Sequence, residues 1–274
     1  MSTTPTRMAG SRRPRFRQSP IGKRIELTER DLQILRWLHR YRYLTTPQLI
    51  RALQPKSHKR FVERLGDLFH ETGLIDRPAA TTGQSGVVFG PMIHEITDAG
   101  IDLLAQRQIE MHRAVTFSRR NTQRRQMAHS MLIIETLLAI ELEAMQEPNR
   151  RFVCIDEILS RAPEAVRSAR NPLAVPVTIQ PGDGVPQIRR PWRTHIIPDG
   201  LYGIEYVQDG EKLYRFWALE CDLSTPQSRS SMTHSSMMRK RAAYAALLTS
   251  RAYRDHWGIP NLELHHVTPA ARSV

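Results

Sequence analysis

Apolar positions recur at helical spacing from residue 27 onward. In LTERDLQILRWLHRYRYL, Leu32, Leu35 and Leu38 with Ile34, Trp37 and Tyr41 share one helix face. Thr28 stands where an N-cap belongs, Asp31 holds the capping-box position, and Leu27 with Leu32 can staple the entry. TTPQLIRAL predicts a second, shorter helix with Thr46 as N-cap and Pro47 at the first helical position, where its missing N–H costs nothing. QPKS ends it. SHKRFVERLGDLFHETG predicts a third helix over 57–69, with Phe61, Leu65 and Leu68 inward and Lys59, Arg60, Glu63, Arg64 and Asp67 on the opposite face. After Gly73, LIDRP and VVFGPMIHEIT read as strands flanking the polar turn AATTGQSG, and Thr97 caps an amphipathic helix, DAGIDLLAQRQI. Helix, helix, helix, hairpin, helix is the order of a winged helix-turn-helix, here over 26–111.

The second half has another rhythm. Residues 112–126 are basic and weakly periodic, which predicts a linker. A long helix follows in MAHSMLIIETLLAIELEA, then a strand in RFVCIDEIL. The Pro-, Gly- and Arg-rich region 161–193 reads as loop. Strands are predicted in THIIPDGLYGIEYV and KLYRFWALECDL, a helix in MMRKRAAYAALLTSRAY and a last strand in LELHHVT. The expected class is α+β, an N-terminal winged helix followed by an α/β domain of αβββαβ order over 127–274. Residues 1–25 lack any acidic residue and bury too little apolar surface to offset their ordering entropy, which predicts a disordered basic arm.

Charge sharpens this picture. Forty Lys and Arg against 27 Asp and Glu leave a formal net charge of +13, a surplus that favours polyanions because each neutralised phosphate releases a counterion. Helix-turn-helix proteins set the second helix of the pair in the major groove, and Lys56, His58, Lys59, Arg60 and Arg64 occupy that place here. The wing would add Arg77 or Gln84. The arm, with Arg12, Arg13, Arg15 and Arg17, could track phosphates or enter a minor groove. The competing reading is a protein-docking module whose cations form a solvated face. No apolar run approaches membrane-spanning length, so no membrane partner is expected. Cys154 and Cys221 fit neither a disulfide framework nor a metal knuckle, which points to a reducing cytoplasm.

Candidate chemistry lies near the C-terminus. Pro198 and Asp199 end one strand candidate, and Glu220, Cys221 and Asp222 end the next. Carboxylates at neighbouring strand ends can hold Mg²⁺ and orient a water for phosphodiester hydrolysis. Alternation along a strand would turn Glu220 and Asp222 to one side. The order resembles the PD-(D/E)XK nuclease core, with Asp199 and Glu220 matching its paired acids. Where that family carries its lysine this chain has Asp222, with Lys240 on the next helix as a substitute and Tyr244 one turn on. A purely structural polar network is the alternative. No HExxH pattern, zinc spacing, Walker loop or dinucleotide fingerprint occurs.

Taken in order, LTERDLQILRWLHRYRYLTTPQLIRAL, IHEITDAGIDLL, AHSMLIIETLLAI with His129, PDG, ALECDLST and MRKRAAY resemble the bacterial replication-relaxation family of plasmids, phages and integrative elements. The resemblance implies a winged helix joined to a nuclease-like domain, with an acidic residue at the lysine position and the lysine and tyrosine on the following helix. The expected function is that of a cytoplasmic, nucleoid- or plasmid-associated DNA-binding protein controlling replication, transfer or transcription of a mobile element. A homodimer on two-fold sites is one expected assembly. Two alternatives stay open: a Mg²⁺-dependent endonuclease using Asp199, Glu220 and Lys240, and a scaffold recruiting a relaxase or replication initiator.

Overall fold

The structure is a computed structural model that describes residues 13–78, 90–116, 124–223 and 231–268. The chain divides into two compact units, one of residues 1–38 and 43–110 and one of residues 39–42 and 111–274.

The first unit is built on α1 (Glu29–Tyr41), β1 (Tyr43–Thr45), α2 (Thr46–Leu53), α3 (His58–Asp67), β2 (Ile75–Asp76), β3 (Ile93–Ile96) and α4 (Asp98–Gln106). Ile34, Leu35 and Leu38 of α1 are fully buried, as the helical spacing predicts. The cap of α2 differs by one residue from expectation. Thr45, not Thr46, is the N-cap: its side chain accepts from the Gln48 N–H, and Gln48 Oε1 accepts the Thr45 N–H at 2.8 Å. A capping box needs its partner three residues on, and only Thr45 has one. Thr46 Oγ1 instead lies 2.9 Å from Nε2 of buried His94. α3 begins as expected, with Ser57 accepting from the Arg60 N–H, but continues into a π-helical turn over Leu68–Thr72 that Gly73 ends at φ 65°.

Three strands form an antiparallel sheet in the order β1-β3-β2. The hairpin was expected, whereas β1 was not, being three buried residues between two helices. The predicted turn AATTGQSG, with Gln84, lies outside the described residues. Thr97 caps α4 by accepting from the Gly100 N–H.

The predicted arm has a different character where it is described. Glu71 accepts the backbone N–H groups of Ile21 and Lys23 and pairs with Arg13, Lys23 Nζ reaches Asp67, and the Ser19 N–H reaches His70 Nδ1. One carboxylate with three donors thus holds a segment whose apolar content alone would not. Arg12 lies outside the described residues.

The second unit carries α5 (Arg124–Ala144), β4 (Arg150–Val153), α6 (Ile155–Ser160), α7 (Glu164–Arg167), β5 (Val175–Ile179), β6 (Trp192–Ile196), β7 (Gly200–Gln208), β8 (Glu211–Cys221), α8 (Ser231–Ser250), α9 (Ala252–Trp257) and β9 (Glu263–Val267). Its main sheet has the order β4-β7-β8-β9, antiparallel except for the parallel pair β8–β9. Leaving out α6, α7, β5, β6 and α9, the order is the expected helix, three strands, helix, strand. Phe216 and Ala218 of β8 join the core that includes Ala242, Ala243 and Leu247 of α8, while Leu219 and Leu137 of α5 both approach Gly200.

Three sequence expectations are corrected here. RFVCIDEIL is a strand only to Val153, because Glu157 turns its carboxylate back to the Cys154 N–H and starts α6. The region 161–193 is not all loop: VPVTI alternates buried and exposed and pairs with β6 as a separate two-stranded sheet. THIIPDGLYGIEYV is two strands, parted at Pro198 and Asp199, where the chain leaves β6 and enters β7. α5 also begins three residues inside the expected linker. Among the described residues, no helix is long and apolar enough to cross a membrane.

Candidate functional site

Two groups of side chains carry candidate chemistry, one in each unit. In the first, α2 and α3 follow one another through the left-handed Gln54, which presents the start of α3 outward. Lys56, His58, Lys59 and Arg60 are all exposed there, and none has an ion pair among the described residues. The partial positive charge of a helix N-terminus adds to theirs.

Arg64 does not join them. Its guanidinium bonds Asp31 of α1 through two nitrogens, at 2.8 and 2.6 Å, and also the Glu26 carbonyl. Asp31 is fully buried and takes two more bonds from the Thr28 N–H and hydroxyl. Burial pushes this carboxyl upward, but Arg64 and Thr28 outweigh it and hold the group below its ordinary value. Arg77 is likewise turned inward, its guanidinium 4.2 Å from the Phe69 ring centre and donating to the Arg15 carbonyl. Burial, then the charge of Arg15, push it down to about 10. Arg15 and Arg17 are exposed.

In the second unit, Asp199 sits one position beyond the Gly200–Leu219 pair, so it faces Glu220 across β7 and β8. Its Oδ2 accepts the Cys221 N–H at 2.8 Å and approaches His129 Nε2 of α5 at 3.3 Å. His129 Nε2 also lies 2.9 Å from the Cys221 carbonyl. Both neighbours are acceptors, so Nε2 carries the proton. From α8, Lys240 pairs with Glu220 Oε2 and the Tyr244 hydroxyl donates to Glu220 Oε1. Five side chains from α5, α8, β8 and the β6–β7 connection meet at one end of the sheet. Asp222 lies one position past the end of β8 and donates its N–H to the Val267 carbonyl of β9.

The two carboxyls are driven apart. Burial raises Glu220 beyond what Lys240 and Tyr244 restore, whereas Asp199, also raised by burial, is brought below its ordinary value by His129 and the Cys221 N–H. Asp199 in turn raises His129. Burial and the neighbouring Asp199 push the Cys221 thiol up to about 12.

This donor set does not suit Mg²⁺. A hard cation needs several free oxygens. Both Glu220 oxygens already accept, and an ammonium stands on Oε2 where the cation would bind. Among the described residues no group of three His, Cys, Asp or Glu side chains could hold a metal. The residues are arranged instead as two carboxyl groups, one paired with the Lys240 ammonium and one beside the His129 N–H.

Sequence reasoning singled out Asp199, Glu220, Lys240 and Tyr244 but gave His129 no role. Its signal was a position in a family-like helix, and only folding brings it to a strand 92 residues away. No curated protein and no solved structure matches the chain. The family model described as replication-relaxation matches residues 35–262, which takes in both units and both groups of side chains, and the chain therefore belongs to the replication-relaxation family.

Proposed function

We propose that the chain is a DNA-binding protein of a plasmid, phage or integrative element, acting in control of its replication, transfer or transcription. Its first unit is read as a winged helix that docks α3 on duplex DNA. The observation that carries this is the cationic start of α3, where Lys56, just before the helix, and His58, Lys59 and Arg60 in its first turn are exposed together and have no ion pair among the described residues. Exposed Arg15 and Arg17 extend the positive surface of the same unit. The second unit is read as PD-(D/E)XK-like on its strand order and on the facing Asp199 and Glu220.

Duplex binding followed by fluorescence anisotropy over a salt series tests the reading. Affinity should fall steeply with salt, and Lys59→Ala with Arg60→Ala should weaken binding and reduce the log–log slope by about 2. Unchanged affinity and slope would remove α3 from the interface. A Mg²⁺-dependent nuclease reading has Asp199, Glu220 and Lys240 meeting at one sheet end in its favour and the Lys240 ammonium on Glu220 against it. It would be favoured by cleavage of supercoiled DNA that Glu220→Ala abolishes while duplex binding persists.

A further inference from the structure

The connection into β6 gathers a second set of cations that the duplex reading leaves unused. Gln187, Arg189, Arg190, Trp192 and Arg239 line an open cavity of about 460 Å³ in the second unit, with no acidic residue on its wall among the described residues. Arg189, Arg190 and Arg239 are exposed. Trp192 is 39% exposed, unusual for so large an apolar side chain. It begins β6, where it pairs with buried Ile179 of β5, so its backbone is fixed while its ring faces solvent.

The Arg239 guanidinium of α8 lies 5.6 Å from the Trp192 ring centre. At this distance the guanidinium is attracted to the ring face without being in close contact with it, and its N–H groups can bond a phosphate beside the ring. The cavity thus combines a flat aromatic surface held by a strand, a guanidinium near its face, and two further guanidinia on the adjoining loop. Its volume is on the scale of a site for one small molecule or nucleotide.

We propose that this cavity binds single-stranded DNA, with an unpaired base stacking on Trp192 and flanking phosphates held by Arg189, Arg190 and Arg239. An exposed indole can stack only on a base whose faces are uncovered, and in a duplex neighbouring pairs cover them. Stacking plus phosphate contacts without base-edge donors is the chemistry of sequence-tolerant single-strand binding. The site is independent of α3 and draws only on residues of the second unit.

The test uses the full chain and two probes, a short fluorescent oligothymidylate and a duplex. Trp192→Ala should weaken oligothymidylate binding about tenfold. Arg189→Ala with Arg190→Ala should weaken it and flatten its salt dependence. Trp192→Phe, which keeps an aromatic face and guards against loss of fold, should retain most of the affinity. Replacing the thymines by abasic sites should cost the wild type about what Trp192→Ala costs, and cost Trp192→Ala little more. Lys59→Ala with Arg60→Ala should weaken duplex binding far more than oligothymidylate binding, so failure of the α3 reading and of this one appear on different probes. Oligothymidylate binding that is absent in the wild type, or indifferent to both Trp192→Ala and the arginine pair, would overturn the proposal. So would equal weakening of both probes by Trp192→Ala.

Discussion

Replacing Arg64 by alanine separates a structural cation from the binding cations beside it on α3. The guanidinium reaches a fully buried carboxylate, and its removal leaves Asp31 with only the two Thr28 bonds. Breaking a buried ion pair by deleting one member costs roughly 3–5 kcal/mol. The Arg64 side chain is 26% exposed, so water can partly replace it, and about 2–4 kcal/mol is the expected loss. Hydrogen exchange resolved along the chain is the suitable assay, since a single unfolding curve would mix two units. Amides of α1 and α3 should exchange about 30- to 1,000-fold faster, with those of β7 and β8 unaffected. Asp31→Asn placed on top of Arg64→Ala should recover part of the loss by removing the stranded charge. The pH dependence has a definite sign. With its folded value depressed, Asp31 contributes stability above its unfolded value and loses it as pH falls through the folded one. Without Arg64 only the two Thr28 bonds oppose burial, so the carboxyl moves upward and the gap between wild type and variant should narrow in acid. Exchange in Arg64→Ala within about 0.5 kcal/mol of wild type, or no recovery from Asp31→Asn, would refute this reasoning.

Other consequences can be measured. Glu71→Ala removes the acceptor shared by Ile21, Lys23 and Arg13, and trypsin should then cleave after Arg15 and Arg17 faster than in the wild type while α1 keeps its protection. Gly100→Ala would set a Cβ 2.6 Å from the Leu74 carbonyl oxygen and 2.7 Å from Ile96 Cγ1, and should cost about 1–3 kcal/mol by chemical denaturation, reported by α4. The His129 imidazole should titrate above its ordinary value in NMR, and Asp199→Asn should lower it. Because the folded value is raised, the stabilisation is complete below the unfolded value and is lost as pH rises through the folded one, so His129→Ala should cost most at mildly acidic pH. Tyr244→Phe should keep the fold and cost about 1–2 kcal/mol, since a buried Glu220 oxygen loses its donor.

Much of this molecule follows from local rules. The buried stripe of α1, the Ser57 and Thr97 caps, the hairpin with α4 after it, and the helix–strand order of the second unit all depend on side chains within a turn or a pleat of one another. Asp199, Glu220, Lys240 and Tyr244 could be found in the same way, as acids at neighbouring strand ends and a lysine and tyrosine four apart on a helix, although Asp199 precedes β7 rather than ending a strand. The cationic start of α3 needed only a cap and a helix phase. What local rules missed has a common cause. Arg64 and Lys59 look alike in the sequence, yet one faces Asp31, 33 residues away, and the other faces solvent. Glu71 fixes a segment some 50 residues before it, and β1 exists because β3 supplies its partners. His129 becomes part of the Asp199 cluster only once α5 lies against β8. In each case the sequence determined which groups were available, and the tertiary structure decided which were used. Burial raises the energy of an unpaired charge or backbone group, and only the folded chain determines which partner lies within reach.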